Sequence, residues 1–204
     1  MVDLIPNLYF LALAFCIVAF LYSSVGLGGG SSYTALMAII GVHYLLIPTI
    51  SLTLNLIVTS LASINFLRGG HGRIRLLLPF LITSIPMAYI GGSLYFPKDI
   101  FFLLLMATLV LVALRVYVWD RPELRLNLTS SGKLAVSLLI GGILGFIAGA
   151  VGIGGGIYLV PLIIILRLGT EKEAAATGAI FIWLNSCAGL AARVGDFPDP
   201  VTIL

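Results

Sequence analysis

The chain has very little charge. Of its 204 residues only 9% are charged, whereas an average soluble domain has about 25%, and 60% are hydrophobic. This composition excludes a domain that faces water on all sides. The eight acidic residues all stand at the ends of apolar segments or between them. The sequence therefore shows no buried carboxylates for a proton relay and leaves energy coupling open.

Metal ligands, thiols and nucleophile–base pairs are also scarce. The two histidines, His43 and His71, stand apart in short loops, so we predict neither a metal site nor a cofactor. Cys16 and Cys187 lie in apolar segments, where we expect buried thiols and no disulfide. No dense Lys/Arg cluster with interleaved aromatic residues indicates nucleic-acid binding. No catalytic constellation indicates an enzyme.

What the sequence does contain is long, uninterrupted apolar stretches. Residues 76–96 and 100–119 reach the roughly 20 residues that cross a bilayer. The strands of a barrel would instead show short alternating segments. We therefore predict a polytopic α-helical membrane protein that is embedded in the lipid bilayer. The first residues, MVDLIPN, lack the basic region of a cleaved signal peptide, so the first helix is expected to be retained.

A second strong feature is an internal repeat. The motif VGLGGG at 25–30 recurs as VGIGGG at 151–156, an offset of 126 residues. In each half, an apolar segment, a glycine break, a short apolar segment and a turn precede a long segment ending in Arg, at Arg68 or Arg193. The predicted segments are 8–25, 30–41 and 46–67 in the first half, 134–151, 157–167 and 173–193 in the second, and two further spans at 76–96 and 99–118.

The short segments that follow the glycines have about 11 residues each, too few to cross about 30 Å of hydrocarbon. Each is interpreted as the second arm of a hairpin that returns to the side it came from. A single kinked crossing is the alternative. The hairpin puts nine basic residues on one side and two on the other, against eight and three for the kinked crossing. The positive-inside rule therefore favours the hairpin and an extracytoplasmic N-terminus.

Three full crossings separate the two glycine motifs, so the second half enters the membrane from the opposite face. Interrupted helices at matching positions of inverted repeats are typical of secondary transporters. We predict an all-α integral membrane protein, a polytopic helical bundle with two inverted repeats, each containing a glycine-broken re-entrant or short-helix hairpin. Repeat one covers 1–118, a cytoplasmic linker 119–133, and repeat two 134–204, the last expected to be truncated before two spans.

The glycine breaks are the candidate site. A helix that starts just after Gly30 or Gly156 presents unpaired N–H groups and the positive end of its dipole, which suits an anion. Glycine lets the backbone approach such a ligand closely, and Asn side chains within the spans add polar groups. The predicted substrate-binding residues are Gly26, Gly28, Gly29, Gly30, Ser31, Asn55, Gly152, Gly154, Gly155, Gly156 and Asn185.

Glycine has other uses in proteins. A nucleotide-binding GxGxxG loop would need glycine where Ser31 and Ile157 stand, so that function is rejected. Gly141, Gly145 and Gly149 are spaced four residues apart, which is typical of closely packed membrane helices. The same packing role is the alternative to ligand binding for the two GxGGG motifs.

The segment VGIGGGIYLVPL has a GxGGGxxxxP pattern that resembles the TauE/SafE, or sulfite exporter, family, and VGLGGGSSYTAL echoes it in the first half. The segment AAATGAIFIWLNSCAGLAARVGD also resembles that family, so the likeness covers most of the chain. The resemblance implies a transporter in the plasma (inner) membrane that moves small sulfur-containing anions such as sulfite or organosulfonates. The first half departs from the pattern, with Ala35 where the second half has Pro161.

Two other functions stay open at this point. The first is an anion channel. The second is a non-transporting scaffold or assembly subunit, in which the glycines only pack helices. The leading interpretation is a secondary transporter working by alternating access. The sequence fixes neither substrate, direction, coupling ion nor oligomeric state, so a homo-oligomer is left open.

Overall fold

A computed structural model describes residues 4–118, 130–166 and 168–194, and these ranges contain only helices, turns and loops. The prediction of an all-helical chain is confirmed. The eight helices in these ranges are α1 (Leu4–Val25), α2 (Gly30–Ile40), α3 (Leu46–Arg68), α4 (Ile74–Ser93), α5 (Lys98–Val118), α6 (Ser130–Val151), α7 (Gly156–Ile165) and α8 (Glu171–Arg193).

The helix bounds follow the predicted segments to within a few residues. The largest differences are at α1 and α6, which each begin four residues before the predicted start, α6 at Ser130 inside the predicted linker. Hydropathy reports only the apolar part of a helix, whereas the first turn of α6 includes Gly132 and Lys133. The remainder of the linker, 119–129, falls outside the described residues.

Within the described ranges, four helices are long and apolar enough to cross a membrane. They are α3, α4, the Gly132–Val151 part of α6, and α8. The two helices that follow the glycine motifs are shorter, with 11 residues in α2 and 10 in α7. Neither of them could cross about 30 Å of hydrocarbon alone.

One thiol differs from its prediction. Cys16 is exposed on α1 and Cys187 is partly buried, and both are free. The expectation of a buried Cys16 was wrong because an apolar segment of a membrane protein also has an outer face. On α1 that face includes large side chains such as Phe20, which is 78% exposed. Such a face suits lipid rather than a protein core.

The core forms where α4 lies against α6 and α8. A Cβ on Gly141, Gly145 or Gly149 would overlap a carbonyl oxygen of α4, so each glycine lets the two backbones touch. Gly92 of α4 and Gly189 of α8 meet in the same way, with the carbonyl oxygen of Gly189 only 2.6 Å from a Cβ at Gly92. The packing interpretation of the α6 glycines is thus confirmed.

Helices α3 and α8 run antiparallel through this core. At one end, Arg73 just beyond α3 forms an ion pair of 3.3 Å with Glu173 at the start of α8. At the other end, Pro48 near the start of α3 and Arg193 at the end of α8 border the same small cavity. The two longest described helices therefore connect the same two ends of the molecule in opposite directions.

Candidate functional site

Each glycine motif forms a turn between two helices. The first glycine turn (residues 26–29) joins α1 to α2, and the second glycine turn (152–155) joins α6 to α7. The residue that precedes each short helix, Gly29 or Gly155, has a left-handed backbone with φ of 84° or 72°. Side chains other than glycine rarely adopt this conformation, which explains why both breaks need glycine here.

The two turns lie next to each other although 126 residues separate them in the chain. A Cβ on Gly30 would lie 2.6 Å from the carbonyl oxygen of Ile153 and 2.7 Å from Nδ2 of Asn55. A Cβ on Gly154 would lie 3.0 Å from the same Nδ2. The structure therefore brings both turns to the middle of α3, with Asn55 between them.

Both turns leave backbone donors without acceptors. Within the described parts of the chain, no N–H group of residues 28–31 or 153–157 donates a hydrogen bond to a protein atom. The first N–H groups of a helix have no partner within it, and they carry the positive end of its dipole. Two sets of such donors therefore sit on either side of Asn55, at the beginnings of α2 and α7.

Asn55 is fully buried and contacts both turns. Its Nδ2 donates to the carbonyl oxygen of Gly152 at 3.2 Å. Its Oδ1 has no hydrogen-bond partner among the described residues and lies 2.7 Å from the position of a Cβ on Gly28. A buried polar atom without a partner costs free energy, and Oδ1 of Asn185 on α8 likewise has no partner among the described residues.

Ser51 is a member of this site that sequence reasoning missed. Its hydroxyl donates to the carbonyl oxygen of Gly152 at 2.7 Å, beside the bond from Asn55. Ser51, Asn55, Thr59 and Ser63 are four residues apart along α3, and all four are buried. This spacing puts polar side chains on one face of a helix, and it was the signal that could have identified Ser51.

Ile182 of α8 is the second residue that was missed. Its Cγ2 lies 3.1 Å from a Cβ on Gly28 and 2.8 Å from one on Gly154, so it fills the space next to both glycines. An isoleucine in an apolar segment carries no sequence signal for a site. With Ile182 in place, every glycine of the two motifs is buried in this conformation.

The remaining predicted residues are distributed unevenly. Asn185 is buried on α8, but its Nδ2 donates to the carbonyl oxygen of Phe181 in its own helix at 2.8 Å. The atoms closest to the glycines of the two turns include those of Asn55 and not those of Asn185. Ser31 is buried in the first turn of α2, where its carbonyl oxygen accepts from Thr34 at 3.0 Å.

A cavity lies elsewhere, between α3 and α8. It measures about 300 Å³, and none of the predicted site residues lines it. Trp183 borders it and is 37% exposed, and its indole N–H donates to the hydroxyl of Ser60 at 2.8 Å. Within the described ranges, no group of three or more His, Cys, Asp or Glu residues could hold a metal ion.

Comparison with known proteins identifies relatives of the chain. The family model of the sulfite exporter TauE/SafE matches residues 11–203. The "probable membrane transporter protein y4hK" of Sinorhizobium fredii is 34% identical over 182 residues, which is 88% of this chain and 74% of the relative. No solved structure matches significantly.

Proposed function

Because the chain belongs to the sulfite exporter TauE/SafE family of membrane transporters, we propose that it carries small anions by alternating access between two inverted halves. The family and the apolar helices make it a multi-pass membrane protein. Beyond family membership, we propose that the two glycine turns bind the substrate, that the substrate is an anion and that the two halves are inverted repeats. The resemblance to sulfite exporters suggests sulfite or an organosulfonate.

Several contacts support the inverted repeat. Gly26 packs against the carbonyl group of Ala175, near the start of α8, and Gly152 packs against Pro48, near the start of α3. Since α3 and α8 are antiparallel, matching glycines approach matching helices from opposite directions. This exchange of partners is what a twofold axis in the membrane plane produces.

The contacts of α1 and α2 support the hairpin interpretation of the short segments. The rings of Phe15 and Tyr33 meet edge to face at 5.2 Å, and the hydroxyl of Ser32 donates to that of Tyr22 at 3.0 Å. Helix α2 therefore lies beside α1 rather than continuing away from it. The first turn packs against Ala175 of α8 and Asn55 of α3, and α2 leads from it to the start of α3.

Orientation follows from charge. Arg68, Arg73 and Lys172 belong to the end where α3 finishes and α8 starts, and Arg193 belongs to the other end. The positive-inside rule makes the first end cytoplasmic and the N-terminus of α1 extracytoplasmic in the inner membrane. Repeat one then corresponds to residues 1–118 and repeat two to 134–204.

The observation that carries the proposal is the pair of unpaired N–H sets beside Asn55. In hydrocarbon each unsatisfied backbone group costs several kcal/mol, so helix breaks persist only where protein, water or a ligand can satisfy them. Donors without acceptors at two positive helix ends favour an anion. They do not select sulfur over other oxyanions, and only the family supports that choice.

The test is substrate exchange in proteoliposomes loaded with sulfite or an alkylsulfonate. Gly28→Leu is expected to abolish exchange, because its side chain would occupy the space between Oδ1 of Asn55 and Ile182. Gly142→Leu is the matched control, since a Cβ there meets no atom closer than 3.7 Å. If the Gly28→Leu protein exchanged substrate at the wild-type rate, the substrate would not bind at the glycine turns.

The second turn is tested by Gly154→Leu. It is controlled by Gly41→Leu, because both glycines have φ near 80° but a Cβ on Gly41 meets nothing within 4 Å. Only Gly154→Leu should lose exchange, while both remain folded by circular dichroism. Absence of flux in the wild type for every small oxyanion would favour the scaffold function, and ohmic currents far above carrier turnover would favour a channel.

A further inference from the structure

A charged side chain lies in the interior of the molecule, at the end of α8. Arg193 is 4% exposed, and within the described residues no carboxylate pairs with it. A charge in such surroundings is expensive unless other groups compensate it, and ionisable residues within membrane spans are rarely without a role. The role is visible in what the guanidinium contacts.

The guanidinium binds the end of the helix that precedes the second glycine turn. Its Nη2 donates to the carbonyl oxygen of Gly149 at 3.1 Å and to that of Ala150 at 3.2 Å. These carbonyls belong to the last turn of α6, where helix geometry leaves acceptors without partners and the dipole is negative. The ring of Tyr95, 5.7 Å from Cζ of Arg193, faces the same charge.

The carbonyl oxygen of Gly152, the first residue of the turn, accepts from Ser51 and Asn55 of α3. The end of α6 is therefore fastened by α8 through Arg193 and by α3 through two polar side chains. The backbone of the second glycine turn starts from this fastened end. Its unpaired N–H groups, from Ile153 to Ile157, follow this end directly in the chain.

We propose that Arg193 is the positioning residue of the second glycine turn: it holds the end of α6 so that the turn presents its N–H groups to the substrate. The inference rests on the proposed function only for the identity of what those N–H groups bind. The matching residue of the first half, Arg68, is exposed, so the role belongs to the second turn alone.

Hydrogen exchange of the purified wild type and Arg193→Gln, read by mass spectrometry, tests the proposal without any substrate. A hydrogen bond to a charged group contributes enough that we expect exchange to accelerate by about 10- to 100-fold in peptides covering 146–158. Peptides covering 26–33 should not change. Arg68→Gln is the matched control and should leave both turns as in the wild type.

Unchanged exchange at 146–158 would overturn the proposal, and so would equal acceleration in both turns, because that result reports general destabilisation. If Arg193→Gln does not fold, Arg193→Met takes its place: it keeps a long apolar stem but has no donor for the two carbonyls. It must accelerate exchange at 146–158 alone, and no acceleration there overturns the proposal. Exchange needs no anion, so failure of the anion function would appear separately, in the flux assays.

Discussion

The two glycine turns have nearly the same sequence but are held by different means. Both place a left-handed glycine immediately before a short helix, Gly29 in the first and Gly155 in the second. The carbonyls at the end of α1 accept from N–H groups of the first turn itself, from Gly26 to Ser23 and from Leu27 to Tyr22. The carbonyls at the end of α6 instead accept from α3 and α8.

The comparison teaches that a motif determines local shape but not how firmly that shape is fixed. The first turn packs against α3 and α8, but the carbonyls that end α1 are satisfied locally and need no donor from either helix. The second turn depends on contacts across the bundle, so its donors move with α3 and α8. If the halves rearrange during transport, we expect the second turn to change more than the first.

The largest effect is expected from a substitution that separates α6, the helix before the second turn, from α4. A Cβ on Gly149 would overlap the carbonyl oxygen of Ala88, so Gly149→Leu forces the two backbones apart. Overpacking of this kind costs typically about 1–3 kcal/mol, and here the obstructing atom is backbone, which places the change at or above the upper limit. We expect loss of folded protein or a large fall of Tm in detergent.

Gly142→Leu provides the control on the same helix, since its nearest neighbours are side-chain atoms of Thr83 and Met87 at 3.7 Å. It should retain the wild-type Tm to within a few degrees. Equal Tm values for Gly142→Leu and Gly149→Leu would show that α4 and α6 do not pack through their backbones in the membrane protein.

A moderate effect on substrate exchange is expected from substitution of Asn55 and Asn185, the two asparagines that were both predicted to bind substrate. Asn55→Ala removes a donor to Gly152 and the polar atom beside Gly28, whereas Asn185→Ala removes a bond within α8. A buried hydrogen bond contributes about 1 kcal/mol, so Asn55→Ala should lower the exchange rate roughly 5- to 10-fold. Asn185→Ala should lower it less than about threefold, by the same scale.

The measurement is initial exchange in proteoliposomes at equal protein content, with both variants checked for the wild-type Tm. The ratio of the two exchange rates shows which asparagine lies nearer the substrate, because both variants remove a buried amide. A larger loss for Asn185→Ala would move the substrate from the glycine turns towards α8.

Much of this architecture could be predicted because its signals are local. Apolar run length gave the helices, and a glycine cluster inside an apolar run gave both turns, since only glycine adopts the left-handed backbone there without strain. The four-residue spacing of polar residues along α3 could have identified Ser51, but the contacts of Ile182 and Arg193 could not be predicted. Their roles depend on which helices become neighbours, and no alternation of polar and apolar residues encodes that. The exposure of Cys16 was missed because hydropathy cannot distinguish lipid from protein.

The smallest expected effect on stability comes from the beginnings of α3 and α8. These two helices occupy matching places in the repeat, but only α8 has a side-chain cap. Helix α3 starts after Leu45 with no side-chain cap, whereas Thr170 caps α8 by accepting from the N–H of Glu173. Thr170→Ala should cost about 1 kcal/mol of unfolding free energy, the usual value of such a cap. Arg73→Gln removes only an exposed ion pair at the same place and should leave stability unchanged within error.

Thermal unfolding at low and high salt distinguishes the two variants. The Thr170→Ala deficit should persist in high salt, because a neutral hydrogen bond is not screened, whereas any Arg73→Gln deficit should vanish. A larger deficit for Arg73→Gln would mean that the ion pair, which joins the segment between α3 and α4 to the start of α8, is stronger than its exposure allows. Charged side chains would then hold both ends of α8, the Arg73–Glu173 pair at its start and Arg193 at its end.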